Sequence, residues 1–214
     1  MRMGNDLPKQ FIPIYGKPLL MHTIQRFFDT VPEIGCLLVL PESHIPYWQE
    51  LCKKYGFNLP CRIVKGGETR FHSVKNGLNA IAETEGVVAI HDGVRPFPSR
   101  EMIDRAFSEA KTKGAIVPII PVTESLRQIN TEGSVIVDRS RYRLVQTPQT
   151  FRLEILRKAY EQPYSELFTD DASVVEAMGK EISLIEGNRE NIKITHPEDL
   201  LWAEVYLKTI QPKS

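Results

Sequence analysis

Six cations stand apart in this chain of 214 residues: Arg2, Lys9, Arg70, Arg95, Arg139 and Lys193. Each falls in a loop or at the end of an apolar run, whereas most other Lys and Arg fall on helical faces. A cleft lined from loops in this way suits a ligand with several phosphates, because ammonium and guanidinium groups form charge-assisted hydrogen bonds to phosphate oxygens. Polar groups accompany them. In "GGETRFHSV" (66–74), Gly66 and Gly67 let backbone N–H groups approach a ligand where a helix begins, although a glycine pair also serves an ordinary turn. Arg70 and Ser73 fall in the first turn of that helix, where both can face the same opening. Asp92, with Arg95 three residues on, suits hydroxyls, a metal or a phosphate, or else forms a solvated ion pair. Lys193 lies between Ile192 and Ile194, either as a ligand cation or as the guard of a sheet edge.

Other chemistries lack their residues. There is no GxxxxGK[ST] phosphate loop, no intact GxGxxG, no nucleophile elbow and no HExxH. The five His are scattered, and Cys36, Cys52 and Cys61 form no CxxC, so they read as ordinary reduced thiols. Balanced charge, 27 basic against 27 acidic residues, leaves no global field to recruit nucleic acid or an anionic membrane. No apolar run is long enough for a membrane span and the start carries no signal-type apolar region, so the expected compartment is the cytoplasm.

These groups need elements to hold them. "CLLVL" (36–40), "CRIVK" (61–65), "VVAIH" (87–91), "AIVPII" (115–120) and "EISLIEG" (181–187) read as buried strands. Helical patterns fall at 18–29, 44–55, 70–82, 99–112, 152–161, 170–178 and 197–209, with Thr169 and Thr195 as caps for the last two. The alternation predicts an α/β, Rossmann-like, mostly parallel sheet flanked by helices, with ligands beyond the carboxyl ends of the strands. Residues 122–146 break the pattern with hairpin-like strands around "NTEG". The expected organisation is one domain, 1–214, with an inserted β-arm at about 122–146.

In order along the chain, "RMG…PKQF" (2–11), "GGETRFHSV", "HDGVRP" (91–96), "VDR" (137–139), "TPQTF" (147–151), "TDDAS" (169–173) and "NIKITHPEDL" (191–200) resemble the 2-C-methyl-D-erythritol 4-phosphate cytidylyltransferases. Ribitol-5-phosphate cytidylyltransferases share most of these motifs. The resemblance implies attack of a polyol phosphate on the α-phosphate of CTP, with release of pyrophosphate. A phosphate monoester needs no general base, so such a reaction calls for Mg²⁺, cations and N–H donors rather than a covalent nucleophile.

The resemblance assigns roles by position. It implies that Arg2 and Lys9 hold the triphosphate and that Arg139 and Lys193 position the attacking phosphate. Gly4, Gly67, Glu68, Arg70 and Ser73 fall to the nucleotide. Asp92, Arg95, Thr147 and Thr169 fall to the polyol phosphate, with Asp92 also a candidate metal ligand beside Mg²⁺ held mainly by CTP. The arm implies a homodimer in which Ser125 and Arg127 reach the partner's site. A second reading, from a different class, is a catalytically impaired nucleotide-binding or scaffold dimer. It arises because the resemblance implies a further strand and the Gly-rich first half of a phosphate loop ahead of "MRMGNDLPKQF".

Overall fold

The alternating apolar runs become strands of two parallel or mixed sheets. The computed structural model describes residues 7–210, so the expectations for Arg2 and Gly4, and for the loop they open, lie outside the described residues. A short hairpin, β1 (Pro13–Ile14) with β2 (Lys17–Pro18), leads into α1 (Leu19–Thr30). Leu20, Ile24 and Phe28 repeat every fourth residue of α1 and are all buried, as one face of a 3.6-residue helix requires. Strand β3 (Cys36–Leu40), helix α2 (Ile45–Tyr55) and strand β4 (Cys61–Lys65) form a parallel unit, with Cys36 opposite Cys61 and Leu40 opposite Lys65. Helix α2 stops at Gly56, whose φ of 60° is left-handed.

After β4 the chain enters α3 (Arg70–Asn79), capped by Thr69, whose side chain accepts from the His72 N–H. Then come β5 (Val87–Ile90), α4 (Arg100–Lys113) and β6 (Ala115–Pro121). The predicted arm follows as a hairpin, β7 (Leu126–Asn130) paired with β8 (Gly133–Val137), and β9 (Arg143–Val145) returns antiparallel along the far end of β6. Strand β10 (Gln149–Arg152) precedes α5 (Leu153–Ala159), α6 (Asp171–Ala177), β11 (Ser183–Glu186) and α7 (Pro197–Ile210).

The larger sheet runs β11–β6–β10–β5, with β11 parallel to β6 and β10 antiparallel to both neighbours. Strand β10 is the element that the periodicity did not reveal. Gln149, Thr150 and Phe151 are all buried, so no alternation of polar and apolar residues marks it. The helix expected from residue 152 starts at Leu153 because its first residue still belongs to the strand. Among the described residues β3 and β4 form a sheet of their own, and α3 packs across it through Gly77 against Val39.

Phe151 sits in the main core with Phe71, Leu156 and Val175. Complete burial of side chains this size contributes about 1.5–3 kcal/mol each. A second core of Phe11, Leu20, Trp48 and Leu51 underlies β3 and β4, and a third joins Leu19 and Phe97 to Ile194 and Leu207. No helix among the described residues is long and apolar enough to cross a membrane.

Candidate active site

Parallel register puts the loops after β3 and β4 at one end of their sheet, and the antiparallel β10 enters its own sheet from the end where β5 stops, which brings Thr147 there. Gln149 opposes Ile90, so the residues just before β10 adjoin those just after β5. Asp92 lies there. Its Oδ2 receives Arg95 Nε at 3.2 Å and Lys193 Nζ at 3.1 Å. Burial alone would push this carboxyl up; Lys193, and behind it Arg95, outweigh burial and hold it below the ordinary range. Two cations against one carboxylate leave a net positive charge, and the Lys193 side chain stays 47% exposed.

A partly buried relay holds the cluster. His91 Nε2 is 2.8 Å from the Arg95 carbonyl, which can only accept, so that nitrogen carries the proton and Nδ1 accepts from the Thr147 hydroxyl at 3.1 Å. Thr147 Oγ1 in turn accepts the Asp92 N–H at 3.1 Å. Burial lowers the His91 pKa to about 4, keeping the ring neutral for both contacts. Fully buried Asn191 donates to the Thr147 carbonyl at 2.8 Å and accepts Arg95 Nη1 on its own carbonyl at 2.8 Å. Ile194 N–H closes on the Val94 carbonyl at 3.0 Å. Residues 191–195 form no strand, so Lys193 guards no sheet edge; buried Asn191 and Ile194 on either side aim it at Asp92.

The glycine turn forms a second group. Gly66 N–H donates to the Leu40 carbonyl at 2.8 Å, tying the turn to the end of β3. Gly67 N–H donates to Ser73 Oγ at 3.0 Å. A Cβ on Gly67 would lie 2.4 Å from His72 Cβ and 2.9 Å from the His72 carbonyl carbon, so the turn accepts no side chain there. Glu68 beside it is exposed.

Arg70 is already paired within the fold. Both terminal nitrogens close on Asp171, Nη1 at 3.0 Å from Oδ1 and Nη2 on Oδ2, and Tyr160 Oη donates to Oδ1 at 2.7 Å. Burial works against the guanidinium charge, but Asp171 outweighs it and raises the Arg70 pKa, with Asp92 close enough to add to the effect. Arg70 therefore ties α3 to α6, with 40% of its side chain left exposed.

Thr147 is also paired within the fold. It is buried, and its hydroxyl is spent between His91 and Asp92, so it supports the cluster rather than facing a ligand. Thr169 is exposed and does not cap α6. Asp170 does, accepting the Ser173 N–H at 2.8 Å while Ser173 Oγ accepts the Asp170 N–H at 3.2 Å. Nor does Thr195 cap α7; Asp199 Oδ2 accepts the N–H groups of Thr195 and His196 at 2.7 and 2.8 Å.

The structure thus joins Asp92, Arg95, Lys193 and Thr147 by direct contact, and Gly67 with Ser73. Lys9 sits half-buried in a short 3-10 turn over Phe11. Arg139 donates to the Thr123 carbonyl at the base of the arm, and Ser125 is exposed there. Arg127 donates to Ser134 Oγ at 2.8 Å, within its own hairpin. The residues that sequence reasoning missed are His91, Asn191, Tyr160 and Asp171. His91, Asp171 and Asn191 stand inside the quoted motifs, which was their signal, whereas Tyr160 carried none. Among the described residues no three His, Cys, Asp or Glu side chains form a group that could hold a metal ion.

Residues 1–209 match the family described as IspD, 2-C-methyl-D-erythritol 4-phosphate cytidylyltransferase. The enzymes of that name from Porphyromonas gingivalis and Phocaeicola vulgatus are 56% and 54% identical to the chain, over 97% of it and 92% and 94% of their own lengths. The crystal structure of the Thermus thermophilus enzyme aligns at a TM-score of 0.76 and 34% identity, covering 94% of each chain. The Francisella tularensis enzyme aligns at 0.79 and 31%, covering 94% of this chain and 93% of its own.

Proposed function

Because the chain belongs to the 2-C-methyl-D-erythritol 4-phosphate cytidylyltransferase family, we propose that the cluster after β5 receives the attacking phosphate of its cytidylyl transfer. The chain is a cytidylyltransferase that moves CMP from CTP to 2-C-methyl-D-erythritol 4-phosphate and releases pyrophosphate. The observation that carries the site reading is the excess of cation at Asp92, with Lys193 half-exposed on a rigid backing.

The chemistry follows from charge. The attacking oxygen belongs to a phosphate monoester that is largely dianionic near neutrality, so no residue need take a proton from it. The barrier lies in pressing one polyanion against another and in stabilising the in-line transition state. Lys193 can leave Asp92 for the incoming phosphate, while Arg95 remains tied between Asp92 and the Asn191 carbonyl and keeps that carboxylate in place. The Gly66–Gly67 turn offers close backbone approach for the nucleotide. Lys9, with Arg2 ahead of it, is assigned to the triphosphate and Arg139 to the polyol phosphate.

Arg95 and Lys193 already occupy Asp92 Oδ2, so a magnesium ion would take its ligands from CTP phosphates and water, with at most Asp92 Oδ1 from the cluster. When bound, such an ion neutralises charge on the triphosphate. A homodimer through the arm belongs to the same reading, supported by Ile129 and Ile136, 76% and 74% exposed on β7 and β8.

Pyrophosphate release, measured with CTP or UTP crossed with methylerythritol 4-phosphate or ribitol 5-phosphate, tests this. Turnover is expected with CTP and the methylerythritol substrate. Faster turnover with ribitol 5-phosphate would overturn the acceptor, and CTP binding without turnover would favour a non-catalytic nucleotide-binding dimer.

A further inference from the structure

All three cysteines of the chain gather at one place, at the opposite end of β3 and β4 from the Gly66–Gly67 turn. Cys36 and Cys61 open β3 and β4 and are register partners in the parallel pair, so their side chains leave the same face. Strands paired this way lie about 4.8 Å apart, within the backbone separation that a disulfide spans. Cys61 Sγ lies 2.8 Å from Cys36 Sγ, nearer than non-bonded sulfurs pack and about 0.8 Å from bonding distance. Both are free thiols and only half-buried. Cys52 of α2 shares with Cys61 the wall of a cleft of about 500 Å³, lined also by Trp48, Phe57 and Leu59.

We propose that Cys36 and Cys61 form a two-thiol oxidation site that reacts with low-molecular-weight disulfides to give a reversible cross-strand disulfide, with Cys52 excluded from the bond. Parallel register places the first two thiols opposite each other, whereas Cys52 stands on a helix. The order of attack follows from the hydrogen bond. Cys61 donates to Cys36, which favours the Cys36 thiolate and lowers its pKa, while the same contact and burial raise that of Cys61. Burial also raises Cys52.

With hydroxyethyl disulfide, the Cys36 thiolate attacks one sulfur, a mixed disulfide forms, and one mercaptoethanol thiolate leaves and takes up the proton that Cys36 lost. Cys61 then gives its proton to solvent and attacks Cys36 Sγ, expelling the second mercaptoethanol, which is protonated in turn. Two protein thiols lose two electrons, and the reagent disulfide becomes two thiols. In a reducing compartment the pair rests as dithiol and closes only on oxidative challenge.

The test treats the folded full chain with hydroxyethyl disulfide, then alkylates it and reads intact mass and peptide maps. The expected product lacks two titratable thiols, is lighter by two hydrogens before alkylation, links the Cys36 and Cys61 peptides, and leaves Cys52 alkylated. Dithiothreitol reverses it, and Cys52→Ser gives the same product. Persistent single adducts at Cys36 or Cys61 in the parent chain, or a bond containing Cys52, would overturn the proposal. So would an unchanged loss of two thiols in Cys36→Ser. Pyrophosphate release enters none of these readouts, so the inference stands or falls apart from the reading of the phosphate site.

Discussion

Arg70 and Asp171, 101 positions apart, meet in a two-pronged ion pair that ties the first turn of α3 to the first turn of α6. The two ends of that pair differ. The Asp171 side chain is 0% exposed and that of Arg70 is 40% exposed. Losing Asp171 lets the guanidinium turn toward water, whereas losing Arg70 strands a buried carboxylate with Tyr160 as its remaining side-chain partner. Arg70→Met is therefore expected to cost about 3–5 kcal/mol and Asp171→Asn less, about 2 kcal/mol. Urea unfolding of the two variants checks the order; equal losses would refute the asymmetry.

Lys193→Met removes the half-exposed cation and leaves the buried Asn191 and Ile194 beside it untouched. Its expected effect is a fall in kcat/KM for the polyol phosphate on the order of 10²–10³, with the unfolding midpoint and CTP affinity unchanged. A matching loss of CTP affinity would move Lys193 to the nucleotide.

Gly67→Ala places a methyl group against the backbone of His72, which cannot swing aside as a side-chain tip could. The turn or the start of α3 must shift, at an expected cost of about 1–3 kcal/mol. The KM for CTP should rise more than that for the acceptor. At Gly66 the nearest atom is the flexible Ser73 Oγ at 3.2 Å, so Gly66→Ala should be milder. Steady-state kinetics with each substrate varied separates the two.

Acid should weaken the fold before any carboxylate titrates. In the unfolded chain His91 takes up a proton as pH falls through its ordinary value of 6.5, but in the folded chain only near pH 4. Between those values the unfolded state binds more protons, so stability drops with falling pH by up to about 3 kcal/mol and then levels for this group. His22, lowered by burial, acts in the same direction. The depressed Asp92 adds its own loss only below its unfolded value of 3.8. His91→Gln should flatten the dependence of the urea midpoint on pH across this window, leaving the share due to His22. An unchanged slope would show that His91 is not the group responsible.

Ile129→Asp with Ile136→Asp tests the arm. Both side chains stand mostly in solvent on the hairpin of the single chain, so the double variant should keep its secondary structure and lose only the stability that association contributes. Light scattering should show the parent chain at twice its chain mass and the variant at once. A parent at single mass would remove the dimer from the functional reading.

Much of this protein was legible before folding. Strands β3, β4, β5, β6 and β11 announce themselves as short apolar runs between turn residues, and the arm does so through its loss of helical period around "NTEG". The cations Arg95 and Lys193 stood out because loops rarely place a charge between apolar neighbours without a partner. What the chain alone could not reveal depends on pairing across distance. Strand β10 carries no alternation because both its faces are buried. Arg70 stood as a lone cation until the fold paired it with Asp171, remote in sequence. Thr147 read as a pocket residue until His91 and Asp92 took its hydroxyl. Cys36 and Cys61 read as separate thiols until parallel register set them opposite each other. Residue type and local period are properties of neighbours along the chain, so sequence determined the elements and the supply of charge. Which charges remain free for a ligand depends on which are neutralised by residues far away, and only the tertiary structure decides that.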